Sequence, residues 1–189
     1  MVLLSVLIPS LTSRSEYLHR ITSLLTRQIN AYKLQKEVEI LTLIDNREAT
    51  TGFKRNTLLN KSKGKFIVFV DDDDLVSDDY LKLICDLIRG EKELDCVGIN
   101  GVYSCNNQQT PFETSLEHHW EVKNGMFTRT INHISPIKRE HAILVRFPNK
   151  TIGEDYEWTM KLKQLNVLKI EKVIKNQIYF YNFIPNKKY

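Results

Sequence analysis

The sequence lacks most features that announce a special architecture. Its 189 residues include three cysteines, Cys85, Cys96 and Cys105, an odd number with no C-x-x-C spacing. That argues against a disulfide framework and a cysteine zinc site. Cys85 and Cys96 fall in apolar patterns and read as small core residues, and reduced thiols predict a cytoplasmic protein. No stretch is long and apolar enough for a membrane helix. Residues 1–9 are apolar but too short to span a bilayer, and they have neither the basic start nor the cleavage site of a signal peptide. The 27 basic and 23 acidic residues leave a charge of only +4, and the basic ones are scattered. Nucleic-acid binders cluster theirs, so no nucleic-acid partner is expected. Glycine is scarce as well. None stands between Ser10 and Ser15, where a glycine-rich phosphate loop after a first strand would lie.

The pattern that is present is alternation of strands and helices. Residues 3–8 form a continuous apolar run ended by Pro9, as expected of a strand buried on both faces. Ser13 and Glu16 have capping-box spacing before Tyr17, Leu18, Ile21, Leu24, Leu25 and Ile29, which recur at helical spacing. Residues 38–44 read as a second strand, 52–60 as a short helix, and 65–70 as a third strand. Ser77 is expected to cap the next helix, with Asp78 and Asp79 in its first turn and Gly90 as its stop. Residues 95–100 read as a fourth strand. Such alternation predicts a mostly parallel sheet with helices on both faces. After Gly101 the pattern loosens. Residues 103–120 read as irregular, with a loop tip at Asn106, Asn107, Gln108 and Gln109. A strand over 127–131, helices over 139–145 and 155–165, and closing strands over 167–173 and 177–183 follow. At this length a single domain buries about 70% of its unfolded surface and needs no staple. The expected division is residues 1–100 for one ligand and 101–189 for another.

The densest charge cluster is acidic. Asp71, Asp72, Asp73 and Asp74 directly follow a buried strand, where ligands of open α/β sheets bind. Crowded carboxylates repel one another unless a cation neutralises them, and hard oxygen ligands suit Mg²⁺ or Mn²⁺ shared with substrate phosphates. The plain alternative is a solvated turn that caps the next helix. Asp45 ends the second strand and can accept a hydrogen bond from the imide N–H of uracil, or close an Asx-type turn. Lys54 and Arg55 offer donors near a diphosphate or base, or form a solvated helix face. Arg14, just past the first strand, is placed to help hold a nucleotide. Asp155 opens a predicted helix, and a carboxylate there suits a general base, while Gly153 permits close backbone approach. Its alternative is a helix cap shared with Glu154. His133 lies between the two halves. Trp120, after His118 and His119, offers a face on which a sugar can stack, or packs an interface.

These residues resemble glycosyltransferase family 2. Residues 69–74 look like its apolar strand followed by D-x-D-D. Residues 5–10 resemble its first strand, whose end, here Pro9, contacts the base. Asp45 matches the position of a uracil-binding aspartate. Gly52, Arg55 and Asn56 resemble its G-x-x-R-N element, and Gly153, Glu154 and Asp155 its G-E-D motif. The resemblance covers residues 2–183. It implies a GT-A fold, a three-layer α/β/α arrangement with a mostly parallel mixed sheet, and inverting transfer of a sugar from a nucleotide-sugar, with UDP favoured, to a glycan or other hydroxyl acceptor. It also implies Mn²⁺ or Mg²⁺ on Asp73, with Asp71 assisting or holding ribose and Asp72 beside it. Asp155 is then the base, Glu154 supports it, and His133 and Trp120 face the acceptor. Many GT-A enzymes add a late histidine as a third metal ligand. No histidine follows His141; Tyr179, Phe180 and Tyr181 stand in that region, and Lys187 and Lys188 either fold over the diphosphate or form a basic tail. The Q-x-x-R-W motif and membrane helices of processive synthases are missing, which implies one sugar per encounter. A nucleotidyltransferase is disfavoured by the missing glycine loop, and a D-x-D-x-T phosphohydrolase by Leu75. A binding module without catalysis is the non-enzymatic alternative.

Overall fold

The computed structural model describes residues 1–106 and 108–183, so Asn107, Lys187 and Lys188 lie outside the described residues. In chain order the elements are β1 (Leu4–Leu11), a 3-10 turn (Thr12–Arg14), α1 (Ser15–Ala31), β2 (Val38–Asp45), α2 (Thr51–Lys61), β3 (Phe66–Phe69), β4 (Leu75–Val76) and α3 (Tyr80–Gly90). Then come β5 (Cys96–Cys105), β6 (Gln108–Thr114), β7 (Glu121–Lys123), β8 (Met126–Arg129), β9 (Ile137–Lys138), α4 (Arg139–Ala142), α5 (Glu154–Leu165) and β10 (Glu171–Phe183). The central sheet is mixed and mostly parallel. β2, β1 and β3 run parallel, β9 is antiparallel between β3 and β5, and β10 runs parallel along β5. Because β10 occupies one edge of β5 throughout, β9 and β6 share the other edge, and β8 and β7 continue outward from β6.

Alternation along β1 and β3 builds the layers. Leu4, Val6, Ile8, Phe66 and Val68 face one side, against Ile21, Leu24 and Leu25 of α1 and Tyr80, Leu81 and Ile84 of α3. Leu7, Ile67 and Phe69 face the other, against Leu58 and Leu59 of α2, Ala142 of α4, and Trp158 and Leu162 of α5. Each such buried side chain contributes about 1.5–3 kcal/mol, and both faces are covered, as a parallel sheet requires.

Several boundaries differ from the sequence reading for identifiable reasons. Pro9 does not end β1; it pairs with Leu43. The Leu7 carbonyl accepts from Val70 N–H, so two residues on the Pro9 nitrogen points to the same side, past the end of β3, where no ladder bond is lost. The Ser13 capping box does not form, because Ser13 is inside the 3-10 turn and α1 begins at Ser15 without a side-chain cap. Nor does Ser77 cap α3, and Asp78 and Asp79 precede that helix. Its cap comes from α1 instead. Buried Gln28 accepts from Leu81 N–H at 2.9 Å and donates to the Ser77 carbonyl at 2.8 Å. Gly90 is the last residue of α3 rather than a left-handed stop. Residues 103–105 and 108–114 are not irregular: they belong to β5 and β6, an antiparallel pair whose polar composition hid its alternation. The two closing strands are one, β10, with register shifts at Ile174/Gln177 and Gln177/Tyr179.

Candidate active site

The C-terminal ends of β1, β2 and β3 meet at a cleft of about 370 Å³. Pro9, Arg14, Lys54, Arg55, Asp71, Asp72, Asp73 and Glu154 all line it. Thr50 caps α2 by accepting from Phe53 N–H at 3.1 Å, which sets Lys54 and Arg55 on the first turns facing the sheet. Gly52 is required by a close approach, since a Cβ there would stand 1.9 Å from the Pro148 carbonyl oxygen. Asn56 exchanges two hydrogen bonds with the Phe147 backbone, each 2.9 Å. The Asn of the G-x-x-R-N element therefore braces the wall and does not face the cleft.

Within the cleft the charges are paired by the chain itself. Arg14 Nη1 reaches Asp72 Oδ1 at 2.9 Å, and Ser10 Oγ donates to Asp72 Oδ2 at 2.6 Å. Lys54 Nζ reaches Asp45 Oδ1 at 2.7 Å and the Ser10 carbonyl at 2.8 Å. Asp45 Oδ2 accepts from Ala49 N–H at 2.7 Å, and its carboxylate also accepts from the backbone N–H of Arg47, two residues on, so the Asx-type turn is formed. Asp45 sits behind Lys54, outside the lining of the cleft. Arg55 is the central cation. It meets Asp71 at 2.9 Å and Glu154 at 3.2 Å, is 3% exposed, and lies over the rings of Phe69 and Phe147. Burial works against ionising Asp71, but the Arg55 and His133 charges outweigh it and hold that carboxyl well below its usual range. Burial raises the Glu154 carboxyl despite Arg55, and the neighbouring Asp155 adds to the rise.

The fourth aspartate plays a different part. Asp74 accepts from the Tyr179 hydroxyl at 2.7 Å and from Asn182 N–H at 3.1 Å, tying the acidic turn to β10. Burial, then the Asp71 charge, push it up to about 8. Among the described residues no group of three or more His, Cys, Asp or Glu is arranged to hold a metal. Of the aspartates lining the cleft, Asp71 and Asp72 lie against arginines, and Asp73 completes the set. This donor set fits a cation that takes one or two carboxylates and fills its shell with diphosphate and water; it does not fit a closed protein cage.

A second cavity, about 260 Å³, adjoins the first. Asp155, His133, Trp120 and Arg129 line it, with Tyr103, Phe112 and Phe127 among its aromatic wall. Glu154 and Asp155 are neighbours at the start of α5, where successive side chains point about 100° apart, so Glu154 faces the first cavity and Asp155 the second. Gly153, at φ +72°, provides the left-handed entry to that helix. His133 lies between the acids: Nε2 is 3.7 Å from Asp71 and Nδ1 is 3.5 Å from Asp155, within ion-pair range but beyond a hydrogen bond. The His133 carbonyl accepts from Phe69 N–H at 2.9 Å, and Asn132 and Ser135 stitch the turn that carries it. His118 pairs with Glu113 at 2.6 Å instead of lining the cavity. Tyr181, stacked on Tyr103 at 5.4 Å, lines both cavities. By sequence Tyr181 stood out only as occupying the region of a late histidine ligand, and Arg129 not at all, since no local pattern marks it.

The sequence profile described as "Glycosyl transferase family 2" matches residues 26–153, well over half the chain. Among solved structures, the chain is similar to residues 1–349 of S. aureus TarS in complex with UDP-GlcNAc, at TM-score 0.68 and 19% identity. It covers 98% of this chain and 60% of that one. TarS 1–349 with UDP matches at TM-score 0.65 and 19% identity, over 97% of this chain and 61% of that one. The catalytic domain of Drosophila β1,4-galactosyltransferase 7 in complex with xylobiose matches at TM-score 0.57 and 15% identity, over 94% and 70%. At these identities the likeness shows the fold, and the chain spans about 60% of the length of the TarS 1–349 structures. No curated protein sequence matches the chain. The mixed sheet with helices on both faces is thus that of the GT-A fold, and with most of its length matching the profile, the chain belongs to glycosyl transferase family 2.

Proposed function

We propose that the strand-end cleft binds a nucleotide-sugar, with UDP favoured, and that its sugar is transferred to a hydroxyl acceptor held in the second cavity, one sugar per encounter and with inversion. The observation that carries this reading is the division of labour at α5: Glu154 lines the first cavity, Asp155 the second, and Tyr181 borders both. Arg14, Lys54 and Arg55 offer donors toward a diphosphate, already oriented by Asp72, Asp45 and Asp71. Asp73, with Asp71 beside it, would hold Mn²⁺ or Mg²⁺ together with the diphosphate. The bound cation supplies Lewis-acid stabilisation of the charge that develops on the leaving diphosphate. Asp155 takes the proton of the acceptor hydroxyl as its oxygen bonds to the anomeric carbon and the sugar–phosphate bond breaks on the opposite face. TarS, whose structures hold UDP-GlcNAc and UDP, supports UDP as the carrier.

The test is a panel of nucleotide-sugars scored by thermal shift with Mn²⁺ and with a chelator. A ligand at 100 times its Kd stabilises by about 2.7 kcal/mol. UDP-sugars should raise Tm in the presence of Mn²⁺, and Asp73→Asn should erase the Mn²⁺-dependent part. Stabilisation by no nucleotide-sugar, or an equal shift with chelator, would sink the reading.

A further inference from the structure

The second cavity contains one charge that the proposed transfer does not use. Arg129 ends β8, half-buried, with its guanidinium carbon 4.8 Å from the centroid of Trp120 and 5.0 Å from that of Phe127. Nη1 donates to the Thr128 carbonyl at 2.8 Å and the Glu121 carbonyl at 3.2 Å. No carboxylate pairs with it among the described residues. Arg14 and Arg55, in the neighbouring cleft, each meet one or two. A guanidinium lying over two rings is partly desolvated, and ring quadrupoles with carbonyl dipoles neutralise only part of its charge. Burial accordingly lowers its proton affinity. Such a group gains most from a ligand anion, because planar N–H donors match carboxylate and phosphate oxygens in a bidentate fork.

Resting on the reading of this cavity as the acceptor site, we propose that it selects an anionic acceptor: a sugar or sugar-like ring laid against the aromatic wall, carrying a phosphate or carboxylate that pairs with Arg129 while its hydroxyl faces Asp155. The aromatic wall alone would accept any ring with an apolar face; a guanidinium that meets no carboxylate among the described residues gives the cavity a charge preference. Trp120 belongs to both features, since it stacks under Arg129 and lines the cavity.

The chain has two tryptophans, and Trp158 is fully buried in the core, so the Trp120 indole N–H signal is a local probe with an internal control. The protein is saturated with UDP and Mn²⁺ to fill the strand-end cleft and titrated with glucose 6-phosphate, glucuronic acid and glucose. One or both anions should move the Trp120 signal at concentrations about tenfold below those needed with glucose, the span of one charge-assisted hydrogen bond, and leave Trp158 still. Arg129→Gln should abolish the preference, and Arg129→Lys should keep part of it. The inference is overturned if all three sugars act alike on the wild-type protein, if Trp120 does not respond to the anions, or if Arg129→Gln keeps the preference. Should Arg129→Gln fail to fold, the Lys variant and the loss of the wild-type preference in high salt decide instead, because a bond to a half-exposed charge weakens on screening; a preference unchanged by salt counts against it. Failure of UDP to bind strikes the donor reading alone, since the Trp120 signal reports its own cavity with or without UDP.

Discussion

In the strand-end cleft, Arg14, Lys54 and Arg55 each meet a carboxylate supplied by the chain, whereas in the aromatic cavity Arg129 meets, among the described residues, rings and carbonyls. The first region is organised before any ligand arrives: its donors are aimed by internal acids, so a diphosphate finds them oriented and little reorganisation remains. The second region has an aromatic wall and a guanidinium that meets no carboxylate among the described residues, and so is suited to discriminate between ligands. The cleft sits on the ends of the parallel strands β1, β2 and β3 at one side of the sheet, and the cavity on β5, β6, β8 and β10 toward the other. Pre-paired donors thus go to the site where charge must be stabilised, and selectivity to the aromatic cavity.

The contrast breaks most sharply at Asp155. It lines only the second cavity, so Asp155→Asn should leave UDP-sugar affinity and Tm nearly unchanged while transfer falls about 10²–10⁴-fold, the usual worth of a general base. Steady-state kinetics beside a UDP-sugar titration check this. A mutant that loses Tm but keeps its activity per folded molecule would make Asp155 a helix cap, and Glu154 or His133 the next candidates for the base.

Arg55 probes the first region from within. Truncating it to Met leaves Asp71 and Glu154 without their shared cation, at 3% exposure. Breaking a buried pair from one side costs about 3–5 kcal/mol. Urea denaturation should show a loss of that size, and nucleotide-sugar binding should fall with it. A loss below about 1 kcal/mol, the worth of a surface pair, would mean that water already screens the cluster and that the cleft is not internally neutralised.

Legibility followed the same divide. Asp71 to Asp73, Pro9, Arg55 and the start of α5 could be read because a strand run, a helix start and a turn are local patterns, and these residues line the two cavities. What the sequence did not show was pairing across distance. Nothing near Asp45 announces Lys54 as its partner, and nothing near Leu81 announces that Gln28, 53 residues away, caps its helix. Tyr103, Trp120, Phe127, Arg129 and Tyr181 converge only because β10, β5, β6 and β8 lie side by side, in that order, in one sheet. Polar residues on both faces of the β5–β6 pair hid its alternation, so this region read as loop.

A carboxylate away from both cavities separates stability from chemistry. Asp95 accepts from Lys169 and Ile170 N–H at 2.9 and 3.0 Å, from His141 at 3.1 Å and from Lys138 at 3.2 Å, at the start of β5, the strand shared by both halves of the sheet. Burial opposes its charge, but these four donors bring its carboxyl down to about 2. A pKa depressed on folding contributes stability that is present above the unfolded value, near 4, and is lost as pH falls through about 2. Asp95→Asn should therefore cost about 2–3 kcal/mol at pH 7 and flatten the acid limb of the stability curve between about pH 4 and 2. Activity per folded molecule should not change. A matching fall in transfer would mean that the two regions are coupled through β5.

The smallest expected effect tests whether the aromatic wall acts by contact alone. Trp120 is 37% exposed, lies under Arg129, and meets Tyr156 edge-on at 5.1 Å. Trp120→Leu keeps apolar area but removes the ring face. A partly exposed cation–π contact is worth about 0.5–2 kcal/mol, so Tm should fall by only a few degrees. Acceptor KM should rise about two- to thirtyfold by the same figure. The nucleotide-sugar KM should stay where it was, because Trp120 does not line the first cleft. Initial rates with each substrate varied in turn distinguish the cases. A rise in both KM values would place Trp120 in the support of Tyr181, which borders both cavities. A rise in neither would make the Trp120–Tyr156 contact a packing seam between β7 and α5 and move the acceptor's platform to Tyr103 and Phe127.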